Sequence, residues 1–429
     1  MGDVLNSAGD LDVNTKTASA AIDDRSMTGR DRPRSRPQFK AVDRVQEGMT
    51  QDGNDQAITP EALWERLEAG EPVELLDVRN REEINAWQID GERVSTTEVP
   101  YMRFLSARVN DEVASLVDPE QSYVVVCPRG EESAEVTADL RAAGIDAQNL
   151  AGGMEGWARV YLSTTIAEDP TVLQYHRPAS GCLAYAVVSG GDALVVDPLR
   201  AFVDRYAADV AALDAEITHV LDTHVHADHV SGVRELAAAT NATPIVPAGA
   251  TDRGLAFEAD TIGDRETIAI GDADVEVLAT PGHTTDAVSL VVDGTLLSGD
   301  SLFLDGVPRP DLQFGTAAAE ELAGELYDTL TDRLASLPDD TVVAPGHVPP
   351  GRRPDADGVY TAPLGELRDR LAAFSEERTA FVNRIVDSIG EPPANHERIV
   401  AANLGQESLT DEDAFEVELG PNNCAVAVD

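Results

Sequence analysis

Lysine is almost missing from this sequence of 429 residues, in which only Lys16 and Lys40 occur. Arginine therefore supplies most of the 32 basic residues, which face 78 acidic ones, and the formal net charge is −46. The acidic residues are spread along the chain, which indicates a solvated acidic surface. Nucleic-acid binding is not expected, because phosphate contacts need a basic patch. We interpret this composition as that of a protein from a salt-accumulating organism, where salt screens repulsion between like charges.

Cysteine and long apolar runs are scarce as well. Cys127, Cys182 and Cys424 are too widely separated to suggest a disulfide framework. No apolar run approaches the roughly 20 residues that span a bilayer. The first residues, MGDVLNSAGD, lack the basic-then-apolar pattern of a signal peptide. We therefore expect a cytoplasmic protein without membrane contact.

The first part of the chain divides into a tail and a small domain. Residues 1–56 have few large apolar side chains, so we predict a flexible acidic tail. In ITPEALWERLEAG, Thr59 and Pro60 predict the start of a helix. Apolar strands are then predicted near LLDV and VVVC, with a helix over 131–144. This alternation predicts an α/β domain with a parallel sheet over residues 57–163.

A second pattern follows, with many short strands and fewer helices. CLAYAVVSGGDALVVDP predicts a hairpin that turns at Gly190 and Gly191. Further short strands and two helices predict a mixed α/β domain over residues 168–350. Residues 351–429 are predicted to form a helical extension packed on that domain.

Metal-ligand residues cluster in the second domain. Five of the eight histidines fall within THVHADH, PGHTTD, TLLSGD and PGH, and two of the aspartates in these motifs are candidate ligands with them. The seven side chains are His224, His226, Asp228, His229, His283, Asp300 and His347. Imidazole and carboxylate are ligands for zinc, iron or manganese, and Gly-containing turns after strands can hold them rigidly. His176, His219 and His396 lack this context and are read as structural or surface residues.

These motifs, in this order, resemble the metallo-β-lactamase fold over about residues 168–350. The resemblance implies an αββα sandwich with a metal site at one edge. In dinuclear members, the positions matching His224, His226 and His283 bind one metal. Those matching Asp228, His229 and His347 bind the second metal, and Asp300 bridges the two.

One subfamily, the persulfide dioxygenases, is similar in nearly the whole motif but binds a single iron. The resemblance implies that His224, His283 and Asp300 would be its ligands. Two histidines and one carboxylate with open positions suit Fe(II) and oxygen. The other motif residues would then shape the pocket, and we count Asp228 among the catalytic residues. The ligand types alone are compatible with one Fe(II) or with two zinc ions.

The first domain resembles a rhodanese domain in LLDVRNREEINAWQIDGE, VVVCPRGEES and LAGGMEGW. In rhodaneses the residue matching Cys127 carries a persulfide. Cys127 lies between a predicted strand and a predicted helix, where backbone N–H groups and the helix N-terminus favour a thiolate. Arg129 and Gly130 are the expected substrate-binding residues of this loop. Glu132 stands where the family often has a cation, and a carboxylate there opposes thiolate formation and thiosulfate binding.

The two domains together resemble sulfur-oxidising fusion proteins. We predict iron-dependent oxidation of a small-thiol persulfide by O2 to sulfite, coupled to sulfur carriage on Cys127. Arg309 is predicted to contact substrate, with a turn or surface salt bridge as the alternative, and Cys182 is predicted to be a small buried apolar residue of a core strand. A sulfur donor protein and a homodimer or homotetramer are the expected partners. The alternatives are a dinuclear zinc thioester hydrolase of the glyoxalase II type and a sulfur-relay protein without oxygenase activity.

Overall fold

The structure is a computed structural model that describes residues 56–349, 351–420 and 422–427. All of these residues belong to one compact unit, Asn54–Asp429. The predicted acidic tail, residues 1–56, lies outside the described residues except for Gln56. Within the described ranges, no helix is both long enough and apolar enough to cross a membrane.

The first domain is a parallel sheet of five strands in the order β1-β5-β4-β2-β3. Its strands are β1 (Ala57–Ile58), β2 (Val73–Asp77), β3 (Val94–Glu98), β4 (Tyr123–Val126) and β5 (Ala147–Leu150). Its helices are α1 (Pro60–Glu68), α2 (Arg81–Ala86), α3 (Tyr101–Asn110), α4 (Glu131–Ala142) and α5 (Gly153–Trp157). Parallel neighbours need such crossover helices. The predicted α/β domain with a parallel sheet is confirmed.

Local sequence explains where these helices begin. Thr59 accepts a hydrogen bond from the backbone N–H of Ala62, and Pro60 occupies the first turn of α1. Asn80 and Glu83 cap α2 reciprocally. Every residue of β4 is buried, because one apolar cluster packs on each face of the sheet.

Two facing sheets form the second domain. The first sheet has seven strands in the order β12-β11-β10-β9-β8-β7-β6. These strands are β6 (Leu162–Glu168), β7 (Thr171–Arg177), β8 (Cys182–Ser189), β9 (Asp192–Val196), β10 (Glu216–Leu221), β11 (Thr243–Pro247) and β12 (Asp260–Ile262). The predicted hairpin is β8 and β9, and β6 begins one residue before the predicted end of the first domain, residue 163.

The second sheet has six strands in the order β13-β14-β15-β16-β18-β19. These strands are β13 (Thr267–Ile270), β14 (Ala273–Ala279), β15 (Val288–Val292), β16 (Thr295–Gly299), β18 (Val342–Pro345) and β19 (Ala362–Pro363), and β17 (Gly306–Pro308) lies outside the sheet. The main core lies between the two sheets and includes Tyr185, Leu221, Leu290 and Val343. A second cluster joins the first sheet to α6 (Val203–Ala211) and α7 (Val233–Thr240). The predicted αββα sandwich is confirmed.

The C-terminal segment contains the helices predicted for it, and also two strands. Its helices are α9 (Leu364–Arg370), α10 (Arg378–Asp387), α11 (His396–Asn403) and α12 (Asp411–Val417), and α8 (Ala319–Asp328) precedes them in the sandwich. Strand β19 extends the second sheet, and β20 (Ala425–Ala427) pairs with β17. Short 3₁₀ turns cover Val113–Leu116, Arg200–Phe202, Ala248–Thr251, Leu334–Ser336 and Ala372–Phe374, and a π turn covers Thr329–Arg333. The extension therefore completes the sandwich as well as packing on it.

The two domains contact each other at the turn between β7 and β8. The indole N–H of Trp87 donates to the carbonyl of Ala179 at 3.0 Å. The Nε of Arg177 donates to the carbonyl of Ala158 at 2.9 Å. These two hydrogen bonds with the first domain therefore hold the turn that leads into Cys182, the first residue of β8.

Candidate metal centre

Four strands bring the predicted ligands to one edge of the sandwich. The THVHADH segment follows β10 of the first sheet, and the ligands His283, Asp300 and His347 come shortly after the ends of β14, β16 and β18 of the second sheet. Strands β14 and β16 are both antiparallel to β15, and β16 is parallel to β18. The carboxyl ends of these three strands therefore lie at the same edge, which is why residues far apart in sequence meet there.

Three of the ligands form a compact group at this edge. His224, His283 and Asp300 are at most 1% exposed, and their donor atoms lie within 4.8 Å of one another. Oδ2 of Asp300 is 3.9 Å from Nε2 of His224 and 3.7 Å from Nε2 of His283. None of these three atoms has a hydrogen-bond partner among the described residues. Buried polar atoms without partners are costly, so the group fits a bound cation.

Neighbouring groups fix the imidazole tautomers that a metal requires. Nδ1 of His283 donates to the carbonyl of Arg309 at 2.7 Å, so Nε2 carries the lone pair. The hydroxyl of Thr223 donates to Asp197 at 2.8 Å, and its oxygen accepts from Nδ1 of His224 at 3.0 Å. Burial lowers the pKa of His283, and burial with the neighbouring His226 lowers that of His224. Both rings are therefore neutral and present Nε2 to the centre.

His226 is held by two carboxylates that the sequence interpretation missed. Its Nε2 lies 3.1 Å from Oδ1 of Asp197 and 3.8 Å from Oδ1 of Asp222, while its Nδ1 has no partner among the described residues. Burial raises the pKa of Asp222 to about 6. Both aspartates directly follow apolar strands that are parallel neighbours, β9 and β10, and this pattern could have revealed them.

A second group of potential ligands contains a cysteine. Cys182, Asp228, His229 and His347 are all buried, with donor atoms within 4.8 Å of one another. Oδ2 of Asp228 accepts from Sγ of Cys182 at 3.2 Å, from Nδ1 of His229 at 3.3 Å and from Nε2 of His347 at 2.8 Å. Cys182 is buried as predicted, but the prediction that it is an apolar core residue is wrong, because its thiol contacts a carboxylate.

His347 links the two groups. Its Nδ1 bonds to Oδ1 of Asp300 at 2.6 Å while its Nε2 bonds to Asp228. Burial opposes the charged form, but the two carboxylates outweigh it and raise the pKa of His347 well above its usual value. Likewise, burial alone would raise the pKa of Asp228, but His347 and His229 lower it well below the usual value.

The structure corrects the expectation for Arg309. Its side chain is 3% exposed, and all five guanidinium N–H groups are taken up by protein oxygens. Those oxygens belong to Asp311, Gly390, Glu391 and Asn423. Contact with a substrate would break one of these bonds. Arg309 instead anchors the C-terminal segment, and its own carbonyl orients His283.

The C-terminal segment also holds the THVHADH loop. The amide of Asn403 donates to the carbonyls of His226 and His229 at 3.0 and 2.9 Å. Glu418 accepts from the backbone N–H of Val230 at 3.0 Å and pairs with Arg177 at 2.8 Å. Burial raises the pKa of Cys424 well above its usual value, and the Asp228 and Asp300 carboxylates add to the rise. Nothing in the local sequence signals these long-range contacts.

In the first domain, the Cys127 loop surrounds its sulfur. Sγ accepts from the backbone N–H of Gly130 at 3.0 Å and from the hydroxyl of Ser133 at 3.1 Å. Gly130 has a φ of +88°, which favours glycine, and an added Cβ would lie 2.8 Å from the backbone nitrogen of Gly152. The guanidinium of Arg129 pairs with Glu155 at 2.6 Å, so its charge is partly compensated. Cys127 is buried, with 1% of the residue exposed.

The other three histidines lie outside these groups. His176 is buried between the rings of Trp64 and Tyr360, with centroids at 5.4 and 4.5 Å. Burial lowers the pKa of His176 to about 3. His219 lies half-buried in β10, and His396 begins α11.

The two-sheet sandwich and its edge of buried histidines and aspartates define a metal-binding αββα protein. A sequence profile of the Metallo-beta-lactamase superfamily matches residues 177–347, and one of the Rhodanese-like domain matches residues 59–160. A hydroxyacylglutathione hydrolase of Rhodobacter capsulatus is 33% identical over 187 residues, which cover 42% of this chain and 68% of that protein. The chain belongs to the metallo-beta-lactamase superfamily and carries a rhodanese-like domain in front of the metal domain.

The chain is also similar to other curated proteins and to a solved structure. Persulfide dioxygenase ETHE1 of Mus musculus is 27% identical over 220 residues, which cover 50% of this chain and 78% of that protein. A crystal structure of a metallo-beta-lactamase from Staphylococcus aureus has 26% identity and a TM-score of 0.50, covering 56% of this chain and 73% of that one. Hydroxyacylglutathione hydrolases from two Xanthomonas strains and Rhodospirillum rubrum are 35% or 36% identical, and the chain spans only 57% or 58% of their length.

Proposed function

We propose that this protein oxidises a small-thiol persulfide to sulfite with O2, using one Fe(II) at His224, His283 and Asp300. The group of two neutral imidazoles and one carboxylate carries this proposal, because their three facing atoms have no partner among the described residues. Two histidines and one carboxylate, with other positions open, suit a non-haem Fe(II) that reacts with oxygen. The similarity to a mouse persulfide dioxygenase supports the same reaction.

The reaction balances as R–S–SH + O2 + H2O → R–SH + SO3²⁻ + 2 H⁺. The persulfide gives up four electrons, the S–S bond breaks, and O2 and water supply the three oxygens of sulfite. Fe(II), when bound, would supply the redox chemistry that lets triplet O2 react with sulfur. Asp228 would stay ionised, and its Oδ1, which is buried and has no partner among the described residues, would accept a hydrogen bond from the substrate or from water.

The rhodanese-like domain has the role of sulfur supply in this proposal. A persulfide on Cys127 would pass its outer sulfur to a small thiol: Cys127–S–SH + R–SH → Cys127–SH + R–S–SH. This exchange needs no external oxidant, and its product is the substrate of the metal domain. The N–H of Gly130 and the hydroxyl of Ser133 point at Sγ and would stabilise a sulfur anion there. A donor protein would load Cys127.

The test measures oxygen uptake and sulfite on the full chain, loaded with Fe(II) under nitrogen in concentrated KCl. The substrates are persulfides of glutathione and of other small thiols. We expect one sulfite for each O2 consumed, loss of both in His283→Ala, and retention in His219→Gln. The control residue lies on β10 but outside the three ligand groups. Absence of oxygen uptake with every persulfide, in protein that holds iron, overturns the proposal.

A dinuclear zinc thioester hydrolase is the second candidate, and a specific observation favours it. Nδ1 of His226, Nε2 of His229 and Oδ1 of Asp228 also have no partner among the described residues. These atoms could complete two metal sites, and hydroxyacylglutathione hydrolases are among the relatives. Two metals would activate water for attack on a thioester. About two zinc ions per chain, with thioester hydrolysis and no oxygen uptake, would establish this function instead.

A further inference from the structure

The backbone places Cys182 opposite His347. The two residues form an isolated antiparallel bridge, and the N–H of Val348 donates to the carbonyl of Gly181 at 2.9 Å. Gly181 has a φ of +76°, and an added Cβ would lie 2.0 Å from the carbonyl oxygen of Val348. Directly opposed residues of an antiparallel pair present their side chains to the same face. The approach of these two strands therefore fixes the thiol beside the imidazole.

The hydrogen bonds around Cys182 have a defined direction. The hydroxyl of Ser180 donates to Sγ at 3.0 Å, and Sγ lies 3.2 Å from Oδ2 of Asp228. An ionised carboxylate only accepts, so the thiol must be the donor to Asp228. Together with His229 and His347, the thiol brings three donors to Oδ2, while Oδ1 receives none among the described residues.

The arrangement continues from Asp228 to the metal-binding carboxylate. His347 uses Nε2 for Asp228 and Nδ1 for Oδ1 of Asp300. Asp228 and Asp300 each accept hydrogen bonds through one carboxylate oxygen, and the other oxygen of each has no partner among the described residues. For Asp300 that other oxygen is Oδ2, which faces His224 and His283. The order of contacts is therefore thiol, carboxylate, imidazole and ligand carboxylate.

We propose that Cys182 is a positioning residue, whose S–H donor orients Asp228 and, through His347, the metal-binding Asp300. The thiol acts as a hydrogen-bond donor and does not bind the metal. The effect on metal affinity follows from the contacts alone, while the effect on persulfide oxidation rests on the proposed function. Loss of a direct outer partner of a metal ligand, which here is His347, typically lowers metal affinity or activity about 10–100-fold, and Cys182 acts two contacts further out.

The test compares Cys182→Ala and Cys182→Ser in the full chain, with Co(II) as a spectroscopic probe. Affinity is measured by competition with a chelator, and the d–d absorption reports ligand geometry. We expect Cys182→Ala to bind Co(II) about 10-fold more weakly, the lower end of the range for a direct outer partner, with an altered d–d spectrum. Cys182→Ser keeps a hydroxyl donor and should stay within about threefold of the original chain. Cys127→Ser, which removes a buried thiol from the other domain, should leave Co(II) affinity unchanged.

Two results overturn the proposal. Equal Co(II) affinity in Cys182→Ala and the original chain would show that the donor does not position Asp300. A sulfur-to-cobalt charge-transfer band that disappears in Cys182→Ser would show that the thiol is itself a ligand. If Cys182→Ala does not fold, Cys182→Val, which fills the space of the thiol but has no donor, is compared with Cys182→Ser instead. Weaker Co(II) binding in a protein that never oxidises persulfides would refute the proposed function and leave this inference standing.

Discussion

His347 and Asp300 share a hydrogen bond of 2.6 Å between Nδ1 and Oδ1, and this bond decides which oxygen of Asp300 faces the metal site. The other oxygen, Oδ2, then points toward the two ligand histidines. The second nitrogen of His347 is occupied by Asp228. With both nitrogens in use, His347 serves as an anchor for two carboxylates in the proposed mononuclear centre.

Replacement of His347 by glutamine tests this anchoring. Glutamine has donors on only one nitrogen, so it cannot donate to both carboxylates in the two directions that the imidazole uses, and Asp300 loses its fixed orientation. We expect iron affinity and persulfide oxidation to fall about 10–100-fold, while the iron that does bind keeps a stoichiometry of about one per chain. Chelator competition and metal analysis measure both quantities. Unchanged iron affinity would contradict the anchoring role.

His176 should contribute to acid sensitivity. Its pKa is about 3 in the folded protein, because burial disfavours the charged ring, and about 6.5 when unfolded. Since the folded pKa is depressed for a base, stability from the neutral ring is full above about pH 6.5 and is lost as pH falls toward 3. The loss approaches about 1.4 kcal/mol per pH unit within that window.

The matched variant for this prediction is His176→Phe, which keeps an aromatic ring between Trp64 and Tyr360. Unfolding in denaturant is followed from pH 7.5 to pH 5 in concentrated KCl. We expect the free energy of unfolding to fall less steeply with acidification in the variant than in the original chain. Parallel curves would show that His176 does not titrate on unfolding.

The buried pair of Arg177 and Glu418 should be important for stability. Both side chains are 1% exposed, and Glu418 also accepts from the backbone beside His229. Arg177→Met leaves the carboxylate buried without its cation, and such a loss costs about 3–5 kcal/mol. Arg205→Met removes an exposed partner of Asp209 and should cost less than about 1 kcal/mol. Denaturant titration of both variants checks the difference.

Cys127→Ser separates sulfur supply from sulfur oxidation. The variant should oxidise an added small-thiol persulfide at the original rate, because Cys127 belongs to the other domain's core. Oxidation that starts from a loaded donor protein should be lost, since serine cannot carry the persulfide. Oxygen electrode traces with the two substrates distinguish these steps. Equal rates from the donor protein would remove Cys127 from the supply route.

Salt should stabilise the folded chain. A net charge of −46 implies strong self-repulsion in dilute buffer, and the Debye length falls from about 10 Å at 0.1 M salt to about 3 Å at 1 M. We expect Tm to rise as KCl increases from 0.1 M to 2 M, with most of the gain at lower concentrations. Thermal unfolding followed by circular dichroism measures this rise. A Tm independent of KCl would contradict the interpretation of the acidic composition.

The sequence by itself determined the fold class and predicted a set of candidate metal ligands. Alternating apolar strands and helices predicted the parallel sheet, and the ordered histidine motifs predicted the sandwich, because both are local patterns with fixed spacing. The same spacing placed His224, His283 and Asp300 after buried strands. It could not show which nitrogen of each imidazole faces the centre, because that depends on partners such as Arg309 and Asp197.

Only the tertiary structure decided the environment of these ligands. The sequence predicts an ordinary core residue at Cys182, yet the β-bridge between its strand and His347 brings its thiol to Asp228. The sequence predicts that Arg309 contacts substrate or lies at the surface, yet a C-terminal segment more than 80 residues later accepts hydrogen bonds from its guanidinium. Hydrogen bonds of this kind join residues that no local periodicity relates. They form only when both sheets and the C-terminal helices pack around the same edge.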